Sequence, residues 1–426
     1  MTEAFLHYIW QHQLLSSGLT TTDGQPVEVL RAGELNRDAG PDFFNARLRI
    51  GGMEWVGNVE IHISTSHWHA HHHSSDPAYN NIILHVVYEH DAEIFLQNGK
   101  SPHTLELKHW LHPSLVANYQ ALTAPTPSSE IPCGHKLPQV SRLVVNSMLD
   151  RLVMERMEHK SGLIMRMLEE SRGDWERVCY WLMARYFGGK VNALVFELLA
   201  KATDPRFLAR WTDNPERIEA ILMGQAGLLE GYFEDDYPRQ LQADYAALRA
   251  GANLNPIDGY LWKFYCLRPS SFPTIRISQF AHLMSAAPHL FFSLLPLTDV
   301  KDIKHLFSQQ ASSYWCNHYQ FDQPTTSAST KRVGNMLIEL LIINAWIPLL
   351  LVYGQQHNQP SYKDQALALL SQLPPEDNAI VRRWKALGLL PTHAAESQAL
   401  LQLYDAYCLP RRCLECRIGF HILKRL

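Results

Sequence analysis

Residue types able to do chemistry are concentrated early in this chain. Seventeen residues separate Asp42, in Gly40-Pro41-Asp42-Phe43, from Glu60 in Glu60-Ile61-His62, and Glu34 stands a short way upstream. Two or three carboxylates converging on one point, with a backbone carbonyl, make a hard oxygen site suited to Mg²⁺ or Mn²⁺. Such an ion activates water and offsets charge developing on a phosphoryl group. His62 lies two residues beyond Glu60 and shares its face on a strand. It could orient the water, act as general base or bind the metal.

A second run comes directly after, Ser66-His67-Trp68-His69-Ala70-His71-His72-His73-Ser74-Ser75-Asp76, and 14 of the 22 His lie within residues 1–135. One reading is a supporting or substrate-facing helix in which His69, His71, His73 or Asp76 meets metal or phosphate. The plainer reading is a solvated loop that picks up divalent ions adventitiously, since imidazoles suit Zn²⁺, Ni²⁺ and Cu²⁺ better than Mg²⁺. Asp76 and Tyr79, just before an apolar strand, are the members expected to have specific roles. Near the C-terminus, Cys408, Cys413 and Cys416 have a spacing that can hold Zn²⁺ or an iron–sulfur cluster. Both normally need four ligands, and Cys133, His135 or His421 are the candidates for the fourth. Cys179, Cys266 and Cys316 read as core positions.

The elements that must position these groups can be read from periodicity. Residues 5–15 pattern as a short amphipathic helix, and Val27–Arg31 as a strand. Asp42–Ile50 alternates, with Phe44, Ala46, Leu48 and Ile50 on one face. Gly51-Gly52 supplies a tight turn, and Met53–Ile63 returns with Gly57, Val59 and Ile61 opposite Glu60 and His62. Asn81–Tyr88 reads as a central strand. Ala92–Leu96 and His103–Lys108, joined through Asn98-Gly99, read as a second hairpin. Ala124–Pro138, with four prolines, marks a boundary. Beyond it the period becomes helical, with a long helix over Ser141–Glu170 and caps at Asp174 and Asn214.

The fold class expected is therefore α+β: a mixed-sheet domain over 1–135, then a mainly helical domain over 136–426. A proline-bounded interruption at 268–277 could divide the second domain. Composition places the chain among globular proteins, with 46% hydrophobic and 19% charged residues and eleven Trp. Residues 1–135 carry 6 Lys+Arg against 14 Asp+Glu, so phosphate contacts would have to come from metal ions or from the helical region. The N-terminal segment lacks a signal-peptide pattern, and seven unevenly spread Cys fit a reducing compartment, so a cytoplasmic location is expected. The most apolar window, Met336–Val352, holds Glu339, Asn344 and Pro348 and reads as a buried helix, with no membrane partner.

Pro41-Asp42 and Glu60-Ile61-His62 resemble the PD and (D/E)XK elements of the PD-(D/E)XK phosphodiesterase superfamily, and Glu34 is similar to the extra upstream acid of many members. The resemblance covers about residues 1–115. The whole chain also resembles a bacterial family with no established activity. What the superfamily resemblance implies is a metal-dependent nuclease or related phosphodiesterase acting on nucleic acid, DNA first, with Asp42, Glu60 and Glu34 on Mg²⁺ or Mn²⁺ and His62 catalytic. The departure is His62 where the pattern has Lys, which exchanges a permanent positive charge for a mostly neutral ring. The alternative is an inactive nuclease-like scaffold or nucleic-acid-binding protein. A His-rich zinc enzyme built on 67–76 is a third expectation.

Overall fold

A computed structural model describes residues 1–124, 131–249, 254–265 and 267–424; residues 125–130 of the proline-rich boundary, and Cys266, lie outside that range. The architecture is α+β, with a mixed sheet near the N-terminus and helices through most of the remaining chain. Two compact units emerge. The first comprises residues 1–148, 386–388 and 403–426, and the second 149–385 and 389–402. Residues 403–424 thus group with the N-terminal sheet, whereas the sequence reading placed them in the second domain.

In the first unit, α1 (Glu3–Gln11) is capped by Thr2, whose hydroxyl accepts from the Phe5 N–H, and it buries Phe5, Leu6, Ile9 and Trp10. The sheet comprises β1 (Val27–Arg31), β2 (Glu34–Leu35), β3 (Phe43–Ile50), β4 (Met53–Ser64), β5 (Ile82–Glu89) and β6 (His103–Glu106). Its order is β1-β3-β4-β5-β6, with β2 on β3; β1, β2, β3 and β4 pair antiparallel, whereas β4–β5 and β5–β6 are parallel. Gly51 and Gly52 turn the β3–β4 hairpin with φ of 58° and 84°, the positive pair that a two-residue turn between twisted strands requires. Ile82–Val87 are all buried, as expected of a strand flanked on both sides by parallel neighbours.

The second hairpin does not form. Asn98-Gly99 makes a tight turn closed by Leu96 N–H on the Lys100 carbonyl, but β6 runs parallel to β5 instead of pairing back on 92–96. The reason is tertiary: Ile94 and Leu96 are drawn into a cluster with Trp68, Tyr79 and Ile82.

Most of the rest of the chain is helical, apart from a small antiparallel pair, β7 (His318–Gln320) and β8 (Gln323–Pro324). Arg142–Ser171 is one long helix, Asp174 caps Trp175–Phe187 and Asn214 caps Pro215–Gln225. Trp181, Phe187 and Trp315, aromatic at helical spacing, are core residues. The 268–277 stretch does not interrupt the second unit: Pro269–Ser271 is a single turn, and Pro273 opens a helix to Ala286 that buries Ile275, Ile277 and Phe280. Asn335–Gln356 is long and apolar enough to cross a membrane by length and composition, and 67% of its most apolar window is buried within the protein. A π-helical turn, Ile342–Trp346, interrupts it. There the Ile343 carbonyl, the Asn344 side chain and Gln398 accept from the buried Lys160 ammonium at 3.4, 2.8 and 2.6 Å.

Candidate metal centre

Asp42 and Glu60 meet because of a bulge. Ala46 pairs with Gly57 but Phe43 pairs with Val59, so β3 carries one extra residue, at Asn45, whose φ is 53°. The two acids then clasp each other's strand. The Asp42 N–H donates to Glu60 Oε2 at 3.1 Å, and the Ile61 N–H donates to Asp42 Oδ2 at 2.9 Å. His7, from α1, places Nε2 3.2 Å from the same Asp42 oxygen. Burial, and then the Asp42 charge, push the Glu60 carboxyl up to about 9.

Four imidazoles cluster beyond the other side of Glu60, and two of them, His62 and His73, face it. His62 Nδ1 is 2.8 Å from His85 Nε2, and His62 Nε2 is 3.1 Å from His71 Nδ1. Glu60 Oε1 lies 3.6 Å from His62 Nε2 and 3.4 Å from His73 Nε2. The histidine-rich run reaches this point through a short helix, α2 (His67–Ala70), followed by His72 with φ 62°, which turns the chain so that His71 and His73 both approach His62. Trp68, fully buried with its N–H on Ser74 Oγ, anchors the turn. Tyr79 stacks on His73 at 3.9 Å. Burial and then the neighbouring rings push His62 down to about 2, and burial followed by His73 pushes His85 down to about 3, so both rings are neutral at ordinary pH.

Of the residues singled out from sequence, Asp42, Glu60, His62, His71, His73 and Tyr79 come together. Glu34 does not: it is exposed and paired with Arg31. His69 is exposed, with Nε2 on the Glu93 carbonyl, and Asp76 caps a short turn by accepting from the Ala78 N–H. His7 and His85 were not singled out, although His85 is the one polar residue in the apolar run Asn81–Tyr88 beyond its first Asn. A cavity of about 570 Å³ opens beside α1, lined in part by His7, His12, Arg37, Arg417 and Phe420, and His7 joins it to Asp42.

Cys133, Cys408, Cys413 and Cys416 all belong to the first unit. Burial, and then their mutual proximity, push Cys133 up to about 12 and Cys413 up to about 11, with Cys408 raised further. Among the described residues these thiols make no group as close as His62, His71 and His73, whose ring nitrogens lie within 4.8 Å of one another.

Fold and site together define an α+β protein with a buried carboxylate and imidazole cluster on a mixed sheet. The chain belongs to the family described as Protein of unknown function (DUF2851), which matches residues 3–379. No curated protein matches it, and no solved structure does.

Proposed function

We propose that the first unit is a metal-dependent hydrolase of phosphodiester bonds, a nuclease or related phosphodiesterase acting on nucleic acid, with DNA the first substrate to test. One observation carries the reading. Asp42 and Glu60 stand side by side, each accepting from the other's strand, in surroundings that raise Glu60 far above the usual carboxylate range. A divalent cation relieves such a pair. The order acid, hairpin, acid, followed by further strands, fits the same reading and is the order that resembles the PD-(D/E)XK superfamily.

The donor set fits a hard cation in part. Asp42 and Glu60 offer oxygens suited to Mg²⁺ or Mn²⁺, whereas Glu34 is held by Arg31 at an exposed edge. When bound, the ion would supply an activated water and offset phosphoryl charge. The chain's own groups do the rest. His62 is held neutral and its basicity is pushed too low for it to take up a proton readily, so its part is to hold a water in place, and it brings no standing positive charge. His7, from α1, brings its Nε2 to 3.2 Å from the Asp42 carboxylate.

The test is cleavage of plasmid and single-stranded DNA with Mn²⁺ and with Mg²⁺. Asp42→Ala and Glu60→Ala are each expected to lower the rate at least ~100-fold, because each removes a cation ligand rather than core volume. Circular dichroism should not change. Activity that survives both substitutions ends the assignment.

The scaffold reading has one observation in its favour: both His62 ring nitrogens already have partners, His85 and His71. DNA binding that persists in EDTA, with no cleavage under either ion, would select it.

A further inference from the structure

The imidazole side of the cluster has the dimensions of a coordination shell. Around a four-coordinate ion with bonds of about 2.0–2.1 Å, ligand atoms stand about 3.3 Å apart. His62 Nε2 to His71 Nδ1 is 3.1 Å, His73 Nε2 to Glu60 Oε1 is 3.4 Å, and His62 Nε2 to Glu60 Oε1 is 3.6 Å. One ring nitrogen from each of His62, His71 and His73 falls within 4.8 Å of the others, in a group of three imidazoles that Glu60 adjoins rather than completes. His73 is 8% exposed, and its Nε2 is buried without a hydrogen-bond partner while facing Glu60. A buried imidazole nitrogen left in that state is costly unless something binds it.

The rings are also held from outside. His85 meets the far nitrogen of His62, and Tyr79 stacks on His73. With His62 Nδ1 donating to His85, His62 Nε2 presents a lone pair toward His71 and Glu60, which is how outer partners orient a metal ligand. His71 is the exposed member, so solvent reaches the cluster from its side.

We propose that His62, His71 and His73 bind one borderline divalent transition ion of the Zn²⁺ or Co²⁺ type, with Glu60 Oε1 as the adjoining oxygen. This rests on the reading of the site as a metal centre but not on phosphodiesters being its substrate. Mg²⁺ takes oxygen ligands and keeps its waters, so three imidazoles discriminate against it. Asp42 lies on the other side of Glu60, its N–H on Oε2 and its carboxylate on the Ile61 amide, so it is not among these ligands and stays available to the hard cation of the nuclease reading.

Metal-stripped full-length protein titrated with Co²⁺ tests this, read by calorimetry and by the visible ligand-field absorption of the bound ion. The expected result is one Co²⁺ per chain, bound at least ~100-fold more tightly than Mg²⁺. His71→Ala and His73→Ala should each weaken Co²⁺ at least ~10-fold, and Asp42→Asn by less than about threefold. His71 is exposed, so its variant decides the matter even where the buried His73→Ala fails to fold. Co²⁺ affinity unchanged in His71→Ala, or Mg²⁺ bound as tightly as Co²⁺, overturns the proposal. Co²⁺ bound as described with no cleavage of DNA under any ion upholds it and overturns the nuclease reading instead.

Discussion

Glu60 shows what the cluster costs before any cation arrives. Burial first, and the Asp42 charge second, raise its carboxyl from an ordinary 4.5 to about 9. Between those values the folded chain holds a proton that the unfolded chain has released. Its contribution to stability is therefore whole below pH 4.5 and is lost as the pH rises through 9. In metal-free protein, Glu60→Gln should add on the order of 2 kcal/mol at neutral pH and flatten the decline across that window. Urea unfolding at a series of pH values measures it, and an unchanged slope would mean that Glu60 is not the titrating group. Much of the site was legible at this scale, because Asp42, Glu60 and His62 declare themselves by type and spacing. His85 and His7 were not. A single His in an apolar strand, or on a short helix, acquires meaning only once β5 lies parallel to β4 and α1 packs nearby.

The bulge at Asn45 decides whether the acids can meet at all. In the register set by Ala46 and Gly57, a regular hairpin would put Asp42 opposite Ile61, on the opposite face from Glu60. The extra residue moves Phe43 onto Val59 and brings Asp42 to Glu60. Strict period-two reading kept Phe44 with Ala46, Leu48 and Ile50, but Phe43 is the fully buried one. Alternation was readable up to the bulge, and the bulge was not, since an Asn in a left-handed conformation leaves no mark in hydrophobic pattern. Helix caps such as Asp174 and Asn214 were readable because their signal is local. Asn45→Val should cost about 1–2 kcal/mol, the penalty of a branched residue at that φ. It should also weaken Mn²⁺ binding by calorimetry, whereas Asn45→Gly should leave both nearly unchanged. Equal Mn²⁺ binding by the Val and Gly variants would mean that the bulge does not set the acids.

Across the molecule, the helical unit carries its own buried charge. Lys160 reaches acceptors on two other segments, and burial, with Arg156 next, pulls its ammonium down to about 7 from 10.5. The folded state thus binds fewer protons than the unfolded chain between those values, so stability should rise with pH from 7 toward 10.5. Lys160→Met should abolish that rise, as measured by denaturant unfolding, and a rise that persists would assign it elsewhere. The sheet unit has a different peculiarity. The Asn118 side chain donates to the Ile422 carbonyl, and Phe420 packs edge-on against Tyr8 and His12, so residues made first are completed by residues made late. A ribosome adding roughly 5–20 residues per second needs about 15–60 s to cross the 304 positions from Asn118 to Ile422. For that interval the nascent sheet waits on the ribosome surface without its last helix, which makes it the segment that a holding chaperone would serve.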